Sequence, residues 1–245
     1  MGKIVAIGGG EIKDLETLPL DKEIISLTGK RHPRALFIPT ASGDAEGYWK
    51  TFQEVYGKKL GCKTDVLYLI KEKLTSKQIE NKILSSDLVY VGGGNTLRMM
   101  KTWRKRGVDT LFRKAYRKGV VLSGLSAGSL CWFRYGHSDS VRFSNPKNWK
   151  YIRVSGLGFI NAINCPHYSN KEREKDFQKM VGKYGGTGIA LSGNCAMEIV
   201  DGKYSVITSR KDAKAFRIYK KEGKVFQEII PQKKGFAPLS RLLPD

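Results

Sequence analysis

Short apolar runs along this chain end in loops of small residues, and each loop is followed by a segment of helical periodicity. Residues 3–7 run into Gly8-Gly9-Gly10, residues 34–39 into the loop 40–44, and residues 88–91 into Gly92-Gly93-Gly94-Asn95. A further run at 120–122 leads into Gly124. Helical patterns cover 46–60, the stretch near 76–84, and 96–118, which Gly107 breaks, with another strand at 63–69. The nucleophile-bearing turn described below is followed by a helical pattern over 127–134. Strands that are apolar throughout must be covered on both sides. Alternation with helices therefore predicts an α/β fold, a mostly parallel sheet with helices on both faces.

Beyond about residue 150 the rhythm changes. Residues 156–164 and 188–191 read as strands. Residues 196–200, 203–207 and 215–219, separated by turns such as Asp201-Gly202, read as antiparallel C-terminal hairpins. No linker or internal repeat divides the chain. The expectation is one domain over 1–245 with a C-terminal extension from about 220, in which 231–245 has no readable structure.

Composition narrows the class. With 245 residues, 40% hydrophobic and 27% charged, the chain is long enough to bury a core without staples. Lys and Arg number 44 against 23 Asp and Glu, a net charge of +21. The cations are spread along the chain or sit in helical segments such as 101–106 and 113–118, as an outer helix face requires, so no specific nucleic-acid partner is expected. No apolar run suits a membrane span, and the N-terminus leads straight into a strand without a signal-peptide pattern, so a cytoplasmic location is expected. Cys62, Cys131, Cys165 and Cys195 are far apart with no C-x-x-C pair, which reads as four buried free thiols rather than a metal or redox site.

Gly124-Leu125-Ser126-Ala127-Gly128 is a complete G-x-S-x-G between an apolar strand and an apolar helix, the context of a nucleophile elbow. Ser126 is the candidate nucleophile, and the Ala127 N–H opens the next helix where an oxyanion would form. A base must come from three histidines. His32 precedes its strand, at the wrong end of the sheet. His137 follows the nucleophile helix in a loop. His167 closes the run 156–164 at the carboxyl end where chemistry gathers in open α/β sheets, and is preferred over His137. Asp139 and Glu198 are the two candidates for the carboxylate that orients the imidazole. The two triple-glycine loops fail the dinucleotide fingerprint, because Lys13 and Leu97 occupy the third glycine's place. Gly93 or Gly94 can instead offer a second oxyanion donor. No cofactor and no metal are expected.

In order along the chain, Val91-Gly92-Gly93-Gly94-Asn95-Thr96, Gly124-Leu125-Ser126-Ala127-Gly128-Ser129 and Asn164-Cys165-Pro166-His167-Tyr168 resemble the peptidase E (aspartyl dipeptidase) family of serine peptidases, with cyanophycinase a more distant relative. The resemblance implies a fold related to class I glutamine amidotransferases, with serine replacing the usual cysteine nucleophile. It places Ser126 at the nucleophile, His167 at the base, and the Gly92-Gly93-Gly94 loop with Ala127 at the oxyanion donors. Asp139 falls near the family's aspartate across a shorter intervening segment, and Glu198 falls where a glutamate is the alternative. Leu125 stands where peptidase E has tryptophan, and residues 130–140 resemble an uncharacterised branch. The function implied is hydrolysis of small peptides, Asp-X dipeptides among them, by a chain that acts alone or as a homodimer. The alternatives are a non-catalytic amidotransferase-like binding module and a hydrolase of another amide.

Overall fold

A computed structural model describes residues 2–232 and 235–243. The first half alternates as expected: β1 (Lys3–Ile7), α1 (Leu18–Ser26), β2 (Arg34–Ile38), α2 (Glu46–Phe52), β3 (Lys63–Val66), α3 (Ser76–Leu84), β4 (Leu88–Val91), α4 (Thr96–Lys105), α5 (Val108–Arg117), β5 (Val121–Leu125) and α6 (Ala127–Leu130). There follow β6 (Phe133–Ser138), β7 (Ile152–Ser155), β8 (Ile160–Cys165), α7 (Lys171–Tyr184), β9 (Thr187–Leu191), β10 (Cys195–Val200), β11 (Lys203–Thr208), β12 (Ala215–Lys221), β13 (Lys224–Ile230) and β14 (Ala237–Pro238). Local signals start several helices: Thr75 and Gln78 form a capping box for α3, and the Asn95 and Asn170 side chains cap α4 and α7. Gly107, left-handed, divides α4 from α5 as its position in the pattern predicts.

The described residues form a mixed α/β fold with two sheets and seven α-helices. The α/β class and the antiparallel C-terminal hairpins are as expected; what differs is that the strands are divided between two sheets instead of one mostly parallel sheet. The eight-stranded sheet runs β14-β11-β10-β1-β5-β4-β2-β3, with β1, β5, β4, β2 and β3 parallel and β10, β11 and β14 antiparallel beside β1. The six-stranded sheet runs β13-β12-β9-β8-β6-β7, parallel only across β6, β8 and β9. The extension from about 220 is therefore split: β13 edges the second sheet and β14 pairs with β11 in the first.

Successive side chains of a strand point to opposite faces, which explains runs that are apolar throughout. In the large sheet Val5, Ile7, Phe37 and Tyr90 pack toward α1 and α2. Ile4, Ala6, Leu36, Val91 and Leu122 face a shared core with α4, α5 and the second sheet. Trp103, Phe112 and Trp132 fill that core, with ring centroids 4.9 and 5.3 Å apart along the series. The outer face of the second sheet is closed by α7 through Phe177 and Val181.

Several element boundaries differ from the sequence reading. The helix expected over 127–134 stops at Leu130, because Cys131, Trp132 and Arg134 give their carbonyls to the N–H groups of Leu157, Phe159 and Gly156 at 2.7, 2.9 and 3.0 Å. Those partners come from the front of the run expected as a strand from 156, so β8 begins only at Ile160. The helix expected over 46–60 widens after Phe52 into a π-helix, Gln53–Lys59, with Phe52 and Tyr56 stacked at 4.3 Å. Strand 63–69 ends at Val66, where the chain turns to give the Ile70 and Lys71 N–H groups to the Asp44 carboxylate. Among the described residues, no helix is long and apolar enough to cross a membrane.

Candidate active site

Ser126 stands between β5 and α6 with φ 56° and ψ −108°, outside the usual regions for an L-residue. The surroundings hold it there. Its N–H donates to the Ile7 carbonyl at 3.0 Å, and its own carbonyl receives the Leu130 N–H at 3.0 Å. The flanking glycines are required by packing: a Cβ on Gly124 would lie 2.6 Å from the Gly128 carbonyl oxygen, and one on Gly128 would lie 2.1 Å from that of Val91.

His167 arrives from the far end of β8, also at positive φ (54°), and its N–H donates to the Gly8 carbonyl at 2.9 Å. Its Nε2 lies 2.9 Å from Ser126 Oγ. The two side chains open onto a cavity of about 380 Å³, lined also by Gly10, Glu11, Ile12, Lys13, Gly47, Tyr48, Thr51, Gly93 and Leu125. Although His167 is exposed, the protein crowded around it lowers its pKa below the ordinary histidine value. The Arg173 charge lowers it further and the Asp139 charge works in the opposite direction.

Gly93 lies against the nucleophile; a Cβ built there would be 3.5 Å from Ser126 Cβ. Its N–H donates to the Tyr48 hydroxyl at 3.4 Å. Burial pushes the Tyr48 phenol up to about 12, with a smaller contribution from the Glu11 charge. Gly94 does not line the cavity; at φ 134° it passes under Ala41, whose carbonyl oxygen would be 2.4 Å from an added Cβ. Ala127 is buried, and as the first residue of α6 its N–H has no intrahelical acceptor.

Among the described residues, no carboxylate hydrogen-bonds the His167 ring. Asp139, just past β6, accepts from the Arg173 guanidinium at 2.8 Å. Arg173, 7% exposed, also donates to the Pro166 carbonyl at 3.4 Å, beside His167. Glu198 lies on β10 opposite Val5, facing the α1 side of the large sheet and three positions along from Cys195, whose carbonyl receives the Gly8 N–H. At about 3.3 Å per residue this is roughly 10 Å down the strand from the His167 anchor. Its Oε1 is buried without a partner, and burial with the Glu23 charge raises its pKa to about 7.

The remaining histidines are engaged elsewhere. His137 is in β6 rather than the expected loop, fully buried, with Nε2 2.9 Å from Asp176 and Nδ1 3.5 Å from Cys165 Sγ. Burial keeps its ring pKa low and pushes the Cys165 thiol far up, so neither group is charged at neutral pH. His32 is exposed and bonds the Gly61 carbonyl. All four cysteines are free and buried.

The ordered motifs of this site are matched by the family model of peptidase family S51 over residues 4–207. The chain belongs to peptidase family S51. It is 32% identical over 237 residues to the uncharacterized peptidase YgaJ of Bacillus subtilis (strain 168), covering 95% of this chain and 99% of that protein. It is 30% identical over 176 residues to the uncharacterized peptidase Lmo0363 of Listeria monocytogenes serovar 1/2a (strain ATCC BAA-679 / EGD-e), covering 70% and 82%. The crystal structure of a peptidase from an acI-B1 Actinobacterium shares the fold, with TM-score 0.71, 18% identity and 97% of each chain covered.

Within this S51 chain Glu198 gives a sharp test of placement. A carboxyl raised from 4.5 to about 7 in the fold favours its protonated form there. The stability it contributes is full below pH 4.5 and is lost as pH rises toward 7, so above that the buried charge is a net cost. At about 1.4 kcal/mol per unit the cost is of the order of 1–3 kcal/mol. Glu198→Gln should therefore raise the melting temperature at pH 8 but not at pH 4, and is expected to leave peptide turnover unchanged. Equal melting shifts at both pH values, or lost turnover, would refute this placement.

Proposed function

We propose that this peptidase is a serine hydrolase whose nucleophile is Ser126 and whose general base is His167. The contact of 2.9 Å between Oγ and Nε2 at the mouth of the cavity is the observation that carries this reading. The base must be neutral to accept a proton, and the depressed pKa of His167 keeps it neutral at physiological pH. Ser126 Oγ bonds to the scissile carbonyl carbon as its proton passes to His167. The oxyanion is held by the N–H groups of Ala127 and Gly93, the latter exchanging its long contact to Tyr48 for the shorter one to substrate. His167 then gives the proton to the leaving amine as the C–N bond breaks. Water, deprotonated by the same ring, releases the acid and restores the serine.

Asp139 is the acid of this reading, acting by charge rather than by a hydrogen bond: its field stabilises the imidazolium while Arg173 opposes it. Glu198, three positions along β10 from Cys195, takes no part. Gly94 shapes the turn that presents Gly93. The lack of a carboxylate bonded to His167 is what favours the second reading, a binding module that no longer turns substrate over.

The substrate we propose is a short peptide with an acidic first residue. The lining offers one cation, Lys13, and one carboxylate, Glu11, which suit a side-chain carboxylate and a free α-ammonium respectively. A panel of X–Leu dipeptides and X-p-nitroanilides tests this. Asp–Leu should lead the panel, and Lys13→Met should raise its KM about tenfold, as losing one charged contact would, while neutral dipeptides change little. Turnover indifferent to the first residue would overturn the specificity, and silence across the panel would favour the binding module.

A further inference from the structure

At the edge of the second sheet, β13 is left open along its length. Every residue from Lys224 to Glu228, and Ile229 after them, is exposed, and only Ile230 turns into the core. Three large apolar side chains on this strand are exposed: Val225 at 37%, Phe226 at 42% and Ile229 at 58%. Natural edges are usually short, bulged or rich in charge, because an unpaired row of N–H and C=O groups recruits another strand. Here seven residues in regular antiparallel register with β12 end the sheet, with no further strand beyond them among the described residues.

We propose that β13 pairs antiparallel with β13 of a second copy of this chain across a two-fold axis at Phe226. The sequence is self-complementary in that register. Residues i and j face each other when their numbers sum to 452, which sets Phe226 against Phe226 of the second copy, and Lys224 against its Glu228, twice over. Alternate residues share a face, so these three lie on the side of the strand that carries Tyr219 of β12. Tyr219 and Phe226 are already stacked, with ring centroids 5.7 Å apart and 20° between planes. The two-fold extends that pair into a ladder of four rings, flanked by two ion pairs of opposite charge, the kind of cross-strand contacts that stabilise a sheet. Glu228 is held in place for this by the Tyr219 hydroxyl, which donates to it at 2.6 Å. Pairing of edges alone buries less than the roughly 1,200 Å² of a tight dimer, so association in the micromolar range is expected.

Sedimentation velocity of the full chain between about 1 and 100 μM, in salt that screens the net charge of +21, reads the equilibrium directly. The wild type should pass from monomer to dimer over that range. Phe226→Lys and Lys224→Glu should each weaken the dimer at least tenfold, while Lys224→Glu combined with Glu228→Lys should restore it, with circular dichroism checking that each variant is folded. A wild type that stays monomeric at 100 μM overturns the proposal. So does a dimer that Phe226→Lys leaves intact, or single and double charge variants that associate equally poorly.

Discussion

Ser126→Ala should lower kcat by about 10⁴-fold or more while leaving the melting temperature within a few degrees of wild type. Activity and fold separate here because of what the hydroxyl touches. Its one hydrogen bond is to His167 Nε2, on an exposed residue at a cavity mouth, whereas the backbone bonds that hold the elbow come from the amide and carbonyl groups, which alanine keeps. Losing one such bond costs about 1 kcal/mol, which for a domain of this size is roughly 2–4 °C. The positive φ of residue 126 strains alanine and serine alike. On the proposed mechanism this variant loses the acyl-enzyme route, and what remains is the weak assistance of oxyanion donors and substrate binding. The same variant can also be read without a substrate. A fluorophosphonate reacts with an activated serine by forming the P–O bond and expelling fluoride, so wild type should gain one phosphonyl group on Ser126 and the variant none. Turnover within tenfold of wild type in the alanine variant, or labelling at another residue, would remove Ser126 from its role.

What could be read from the sequence was what is local. The G-x-S-x-G turn needs only a strand, two small residues and a helix start, all adjacent in the chain, and the Asn164-Cys165-Pro166-His167-Tyr168 run likewise carries its own strand end. Residues 127–134 read as one helix, and that reading fails beyond Leu130 for a physical reason. An apolar stretch such as Leu130-Cys131-Trp132-Phe133 suits a buried helix or a buried strand equally, and backbone partners from 156–159 decide between them. The second sheet was hidden in the same way, since the parallel pairing of β6 with β8 and of β8 with β9 is tertiary. Tyr48 reads as one more aromatic on the α2 face with Trp49, Phe52 and Tyr56, and nothing local says that its hydroxyl meets Gly93. Arg173 is one basic residue in a strongly charged helix. Only the fold shows that it is buried, binds Asp139 and sets the field at His167. The proposed acid, Asp139, has no local signature, because a carboxylate can influence an imidazole through space and no spacing rule describes that.

Gly9→Ala should lose at least about 10²-fold in kcat/KM, with little loss of stability. The triple glycine after β1 fails as a nucleotide loop, and its role in the structure is steric. A Cβ on Gly9 would sit 2.6 Å from Nδ1 and 2.8 Å from Cε1 of His167, inside contact distance. Gly9 is not in the left-handed region, so alanine meets no positive-φ penalty there. The conflict is with the imidazole alone, and that ring can swing toward the cavity, away from the methyl group. Swinging breaks the contact of 2.9 Å with Ser126, and a displacement near 1 Å in a proton-transfer pair is worth about two orders of magnitude. Gly8 behaves differently. A Cβ there would meet the Ser192 carbonyl oxygen at 2.3 Å and that of Leu191 at 2.6 Å, which are fixed backbone, so Gly8→Ala should destabilise the fold itself. The pair of variants thus separates two neighbouring glycines by the kind of atom each one faces. Kinetics and thermal melts on both check the assignment: a Gly9→Ala enzyme with wild-type kcat/KM would mean that the catalytic ring does not sit where the base must be.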